Sequence, residues 1–450
     1  MTELYKKYRD CAYRVTTDSR AIAGGEIFFA LRGENFDGNA YAASALEKGA
    51  AWAVVNEDAD LPEDGRFIRV ADPFTALQEL AIEHRLHVLD GRQSPACGIA
   101  GHLPVVGLTG TNGKTTTKEL IAAVLAKKYK VTATQGNLNN DIGVPLSLLK
   151  ITPETDIAVI EMGANHPDDI AKLVKVSQPD YGLITNVGKA HLLGFGSFEG
   201  VKAAKGELYN WLGARKGSLI FLNEDDADLK EMASHQPCHV FGYGLRYQGA
   251  EVLPASAAEP FLRIRLDGLE IRTGLVGAYN ATNVLAAIAV GEYFGVSRAD
   301  AAEAIAAYVP KNNRSQMMST ASNTLIVDAY NANPSSMAAA LDNFAAVEGE
   351  LKVALLGDMR ELGEDSVAEH VKVVRKLTEA GIAAYLVGDE FRKALDMAGI
   401  VPEEGISGVR GWFPDSPSLA SFLKEHPLSG AIVLVKGSRG IRMEETLSVL

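Results

Sequence analysis

The segment Val105–Thr117 reads VVGLTGTNGKTTT, and its residue types suit one kind of chemistry. A strand-like run enters a glycine-rich turn, and a helical pattern follows over Thr115–Lys127. Glycines let backbone N–H groups approach a phosphate closely, and a helix N-terminus adds the positive end of its dipole. Lys114 can reach the outer phosphates of a nucleoside triphosphate, and the Thr115 hydroxyl can ligate Mg²⁺. Thr109, Gly110, Thr111, Asn112, Gly113 and Thr116 complete the cradle. The general pattern asks for glycine six residues before the lysine; here that position is Leu108.

Other polar residues sit where such a loop could use them. Glu161 ends the strand-like DIAVIEMG, and a carboxylate at a strand end suits a hard divalent cation. His191 follows another apolar run, in NVGKAHLLGFGS. Lys205 lies in a predicted helix, Glu199–Leu212. Asn280 and Asn283 are three apart and can share one side of a helix start. Arg314 and Asp328 flank a change in pattern near residue 315.

The elements that would carry these residues alternate in type. Apolar runs at Val105–Thr109, Ile157–Ile160, Gly182–Thr185 and Ser218–Leu222 suit parallel strands buried on both faces. Glu161, Asn186 and Asn223 follow such runs, where open parallel sheets bind ligands. A second series has strands at Thr324–Val327, Lys352–Leu356, Ala384–Val387 and Ala431–Val435. Its helices fall at Ser335–Val347, Asp365–Ala380, Phe391–Ala398 and Leu419–Glu425, as in a smaller doubly wound domain. Asp328, Asp358, Asp389 and Lys436 mark its strand ends. The first hundred residues hold short strands at Glu26–Leu31, Ala51–Val55 and Arg66–Val70, then a helix over Pro73–Leu89. The stretch Asp90–Pro104, rich in Gly, Pro and small residues, reads as a boundary.

The 450 residues suit about three domains, and 47% hydrophobic content suits several cores. A net charge of −13 disfavours a nucleic-acid surface, which needs clustered Lys and Arg. No run is long and apolar enough for a membrane span, and MTELYKKYRD lacks the apolar stretch of a secretory signal. The 3 cysteines, Cys11, Cys97 and Cys238, form no disulfide or metal pattern. A reducing, cytoplasmic setting is expected.

GTNGKTT, the strand-end Glu161, His191, the AKGE around Lys205 and GAYNATN resemble, in order, the Mur ligase family. The resemblance implies an α/β chain of three domains. They are a uridine-nucleotide-binding domain over residues 1–102, a central P-loop-type parallel-sheet ATPase domain over 103–314, and a Rossmann-like doubly wound domain over 315–450. It implies that Lys114, Glu161, His191 and Lys205 are catalytic. Mg²⁺ would be held by Thr115, Glu161, His191 and Lys205, the lysine as a CO₂-derived carbamate. Asn283 would contact adenine, Arg314 phosphate and Asp328 ribose. Tyr279 stands where the family often has His, so no histidine role is carried there.

TTDSRAIAGGEIFFALRGENFDG is similar to the family's uridine-binding segment, which makes Ser19, Arg20, Asn35 and Asp37 candidate contacts. GNLNNDIGVPLSLL looks like the substrate loop of the branch that handles D-alanyl-D-alanine, with Asn137, Asn139 and Asn140 as hydrogen-bonding candidates. DAYNANPSSM, LLGDMRELG and VKGSRG fit the same branch and add Tyr330, Asn331 and Lys436. An Asp-Asn-Pro-Arg signature of the diaminopimelate-adding branch is absent; the nearest stretch is Tyr330–Pro334. The resemblance thus implies an ATP-dependent ligase whose substrates are UDP-N-acetylmuramoyl-tripeptide and D-Ala-D-Ala, in cytoplasmic peptidoglycan precursor synthesis; a monomer is the default expectation. Two alternatives stay open: another ligase of the superfamily, such as a folylpolyglutamate synthase, or a nucleotide sensor without catalysis. The uridine-domain likeness argues against the first, and the full set of polar residues against the second.

Overall fold

The computed structural model describes residues 1–256, 259–311, 313–402 and 408–450. Three principal sheets follow one another along the chain. In the first, Val15–Thr16, Ile27–Phe29, Trp52–Asn56 and Phe67–Val70 run parallel in that order. The run expected from Glu26 is shorter, because the Glu26 carboxylate accepts from the Ala23 N–H at 2.7 Å and closes a turn.

The central sheet has six strands, all parallel. Their order is His239–Tyr243, Leu219–Asn223, Tyr181–Ile184, Val105–Thr109, Ile157–Glu161 and Val131–Ala133. Every residue of Val105–Thr109 and Ile157–Glu161 is buried, as the unbroken apolar runs require. Alternate side chains serve opposite faces. Val106, Leu108, Ile157 and Val159 pack on the helices Lys114–Leu125 and Ala281–Tyr293. Val105, Ala158 and Ile160 pack instead with Leu173 of Asp169–Ser177 and Leu208 of Phe198–Gly213.

An antiparallel three-stranded sheet, Glu251–Leu253, Phe261–Leu266 and Leu269–Val276, covers one edge of that core. The sequence reading missed it. Its signal was the Asp267–Gly268 pair between apolar runs, and both residues have positive φ, 49° and 79°, as a tight two-residue hairpin turn needs.

The last sheet has the order Gln316–Ser319, Thr324–Asp328, Ile432–Lys436, Lys352–Gly357, Ala383–Val387 and Val409–Phe413. Only the first pair is antiparallel. Helices Pro334–Ala346, Ser366–Glu379, Asp389–Ala398 and Ser416–Glu425 cover both faces. The helix expected from Phe391 begins at Asp389, and the strand at Val409–Phe413 was not foreseen. Among the described residues, no helix is long and apolar enough to cross a membrane.

The joints between these units differ in kind. Tyr5, Tyr8, Leu77 and Leu80 share one apolar cluster with Val144, Leu148 and Ile151 of the central unit. Each such side chain contributes roughly 1.5–3 kcal/mol when fully buried. Tyr8 donates to Leu149 O at 2.5 Å, and His84 Nε2 meets Ile151 O at 2.8 Å. The joint to the last unit is mostly polar, with pairs such as Lys189–Glu369 at 3.4 Å, and Val276 joins the apolar cluster of Ile326, Ala332 and Met337 across it.

Candidate functional site

The central and last units leave a cavity of about 800 Å³ between them. Its floor is the phosphate loop. Helix Lys114–Leu125 starts after Gly113, whose φ is 78° and which offers no side chain to cap the first turn. The helix's leading N–H groups are therefore left for a ligand. A β-carbon at Gly113 would meet Asn283 Oδ1 at 2.6 Å, so glycine is required twice over. Lys114 Nζ curls back onto the carbonyls of Gly110 at 2.8 Å and Thr111 at 3.2 Å. Burial pushes its ammonium below the usual lysine range, and the nearby Arg314 adds to this while Glu161 opposes it.

The loop is tied from the neighbouring strand end. The Asn112 carbonyl accepts from Thr185 Oγ1 at 2.6 Å and from Asn186 Nδ2 at 3.0 Å. The Asn112 N–H donates to Asn186 Oδ1 at 3.0 Å. Asn186 stands at the strand end the sequence marked, whereas Thr185 was not among the expected site residues. The available signal was position: Asn186 directly follows an apolar run. Asn223, placed by the same rule, only receives the Asp225 N–H at 3.1 Å.

Beside the loop, Thr115 Oγ1 donates to Glu161 Oε1 at 3.2 Å, and Asn139 Nδ2 donates to the same oxygen at 2.8 Å. Glu161 Oε2 is buried with no hydrogen-bond partner; its nearest cation is Lys118 Nζ at 3.9 Å. An unpaired carboxylate oxygen next to a hydroxyl is a donor set that fits a hard divalent cation.

His191 lines the same cavity. Among the described residues no three His, Cys, Asp or Glu side chains cluster as a metal site. His191 Nδ1 contacts Glu361 Oε2, from the last unit, instead. Burial lowers the His191 pKa, and Glu361 pulls against that. Lys205 sits behind the cavity wall. Its Nζ donates to Ala164 O at 3.2 Å and lies 5.3 Å from the centroid of Phe195. Burial, then the charge of Lys114, brings its pKa down to about 7.

The other expected residues divide. Asn137, Asn139 and Asn140 line the cavity, although Asn140 Oδ1 also caps Gly143 N at 2.8 Å. Asn283 lines it too, but its amide is engaged: it accepts from Thr117 Oγ1 at 3.1 Å and donates to Asn280 Oδ1 at 3.0 Å. Arg314 stacks 3.7 Å from the centroid of Tyr330. Asp328 accepts from Ser315 N at 3.2 Å and forms an ion pair with Lys436, which also donates to Asn331 O at 3.3 Å. Lys436, expected as a substrate contact, is 1% exposed and balanced by Asp328, so its charge serves the strand ends first. Ser19, Arg20, Asn35 and Asp37 do not line the cavity. Arg20 pairs with Asp18 at 2.8 Å, and Asp37 caps Asn39 N at 2.9 Å.

A parallel sheet with a phosphate loop at its strand ends, an unpaired carboxylate beside it and a second α/β unit over it defines a nucleotide-using α/β enzyme. Residues 108–291 match the Mur ligase middle domain, 313–439 the Mur ligase glutamate ligase domain, and 12–85 the Mur ligase family catalytic domain. The chain belongs to the Mur ligase family. It is 33% identical to the UDP-N-acetylmuramoyl-tripeptide–D-alanyl-D-alanine ligase of Bacillus subtilis, covering 97% of this chain and 92% of that one. It is 35% identical to the ligase of the same name from Escherichia coli, over 97% and 93%. The fold matches MurF from Acinetobacter baumannii with a TM-score of 0.79 at 31% identity, covering 97% and 92%. It matches the MurF ligase from Thermotoga maritima, solved with ADP, with a TM-score of 0.81 at 26% identity, covering 100% and 98%. A folylpolyglutamate synthase from Mycobacterium tuberculosis shares the fold, with a TM-score of 0.58 at 15% identity over 83% and 99%.

Proposed function

We propose that this chain is an ATP-dependent ligase that joins D-alanyl-D-alanine to UDP-N-acetylmuramoyl-tripeptide. The observation that carries this reading is the near full-length relationship to ligases named for that reaction. In the first step the terminal carboxylate of the tripeptide attacks the γ-phosphorus of ATP, giving an acyl phosphate and ADP. In the second, the amine of D-Ala-D-Ala attacks the acyl carbon, and phosphate leaves. The phosphate loop holds the nucleotide through backbone N–H groups, and Lys114 neutralises charge on the transferring group. The protein's main work is positioning three substrates in one cavity.

Thr115, Glu161, His191 and a carbamylated Lys205 are the residues that would hold Mg²⁺. When bound, Mg²⁺ supplies charge neutralisation between two anions, carboxylate and phosphate. The buried Lys205 amine, with its pKa near 7, is neutral often enough to react with CO₂. The neutral amine adds to the carbon of CO₂ and releases one proton, leaving an anionic carbamate whose oxygens can act as donors. Asn137, Asn139 and Asn140 would face the peptide, Arg314 the phosphates, Asn283 and Asp328 the nucleoside, and Tyr330 and Asn331 the incoming dipeptide. Lys436, which lines the cavity beside Asp328, would be a further substrate contact. Ser19, Arg20, Asn35 and Asp37 would take the uridine end of a long substrate, outside the cavity. We divide the chain into units of residues 1–102, 103–314 and 315–450. The chain would act as a monomer in the cytoplasm, where ATP and a uridine-linked precursor are available.

Phosphate release assayed with UDP-N-acetylmuramoyl-tripeptide, D-Ala-D-Ala and ATP tests the reading. Release that requires all three substrates is expected. Silence with that set but turnover with a folate and glutamate would assign the chain to the folylpolyglutamate branch. ATP binding without turnover on either set would favour a sensor.

A further inference from the structure

His191 and Glu361 face each other across the joint between the central and last units. Both are non-glycine residues with left-handed backbones, φ 51° and 67°. Such conformations persist only where the surroundings over-determine them. The loop that carries Glu361 is held at three successive residues. The Asp358 carboxylate takes the N–H groups of Glu390 at 3.0 Å and Phe391 at 2.9 Å. The Met359 N–H donates to His370 Nε2 at 2.9 Å, and the Arg360 N–H to Ser438 Oγ at 2.8 Å. Leu193 N then donates to Glu361 O at 3.3 Å, tying the two loops by main chain. The Glu361 carboxylate comes to rest on His191 Nδ1. Among the described residues no other group offers that nitrogen a hydrogen bond, and the contact is close rather than aligned.

We propose that Glu361 is a positioning residue for His191: its carboxylate accepts from Nδ1–H, which holds the proton there and leaves Nε2 as the lone-pair donor. This rests on the reading of His191 as a metal ligand. A ligating histidine that passes its other N–H to a carboxylate is fixed in tautomer and made a better donor. Here the carboxylate comes from a different unit, 170 residues along the chain (361 less 191). The donor is therefore set only when the last unit stands against the central one, which couples arrangement of the units to readiness of the metal site.

The test uses the full-length, metal-free protein with ¹⁵N-labelled histidine at pH 8. His191 is assigned by its loss in His191→Gln. Long-range ¹H–¹⁵N spectra of the wild type should show it as the Nδ1–H tautomer. In Glu361→Gly, which suits the left-handed backbone, the ring should move to the Nε2–H form or a mixture. Glu361→Gln keeps an acceptor and should stay closer to the wild type. Mn²⁺ affinity should fall about 10–100-fold in the glycine variant, with an unchanged thermal midpoint. An unchanged tautomer in Glu361→Gly overturns the proposal, and so does a changed tautomer with unchanged Mn²⁺ affinity. If Mn²⁺ fails to broaden the His191 signals of the wild type while the tautomer still depends on Glu361, the metal-ligand reading fails and the positioning contact stands.

Discussion

Asn333 Nδ2 donates to Asn112 Oδ1 at 2.8 Å, so the last unit holds the side chain of a residue whose backbone shapes the phosphate loop. Asn112 Nδ2 returns a bond to Ser335 Oγ at 3.2 Å. Asn333 and Ser335 sit at the start of the helix Pro334–Ala346, which Asn333 also caps. The nucleotide site and the overlying helix are thus one hydrogen-bonded unit.

Replacing Asn112 by Ala removes both side-chain links and keeps the backbone ones. Each link is worth about 1 kcal/mol. The KM for ATP should rise roughly 5–30-fold at pH 7.5 in a phosphate-release assay, with a thermal midpoint near that of the wild type. An unchanged KM would show that the link does not bear on nucleotide binding.

Glu161→Gln retains an oxygen for Thr115 and Asn139 but removes the charge on the unpaired side. The expected loss in kcat is about 10²–10³-fold, the scale of removing one preorganised electrostatic contact. Circular dichroism should match the wild type. Chelation of divalent ions should silence the wild type, and Mg²⁺ should restore it.

Lys205→Ala should lose activity, and a short carboxylate such as acetate or propionate should partly restore it. CO₂ adds to the neutral amine, and the Lys205 pKa lies at about 7. Reactivation of CO₂-depleted enzyme by a fixed concentration of dissolved CO₂ should therefore quicken as pH rises from 6 to 8. A pH-independent rate would contradict carbamylation as the activating step.

His84 is buried between Tyr5 and Ile151 O, and burial lowers its pKa from 6.5 to about 4. The fold excludes the proton, whereas the unfolded chain binds it below pH 6.5. The stabilisation is therefore complete above that pH and is lost as pH falls toward 4. The wild type should lose about 2 kcal/mol from this group between pH 7 and pH 5. Urea unfolding of wild type and His84→Gln at both values checks it: the variant should be less stable at pH 7 and less sensitive to the change.

Much of the site was legible because its chemistry is local. The loop from Thr109 to Thr116 carries strand, glycines, cation and hydroxyl within one short segment, and Glu161 announces itself at a strand end. Thr185, Asn333, Ser335 and Glu361 were not legible as site residues. Each acts through a contact made by the fold, and each is an ordinary loop or capping residue in its own neighbourhood. Asn283 shows the converse: its place was found, but its amide serves the helix beneath the loop as well as the cavity. The parallel sheets followed from unbroken apolar runs. The Leu269–Val276 hairpin did not, because an alternating half-exposed strand carries a weaker signal than a fully buried one.

The apolar cluster shared by Tyr5, Tyr8, Leu77 and Leu80 with Val144, Leu148 and Ile151 has a consequence for dissection of the chain. A fragment beginning near Val105 would present that cluster to water and lose the partner of its Leu149 carbonyl. The first hundred residues thus serve the central sheet as a missing layer as much as a recognition module. The seam to the last unit rests on far less: Val276 alone of the central unit joins the last unit's apolar cluster, so a cut near residue 315 should leave a two-unit remainder that unfolds in one cooperative step.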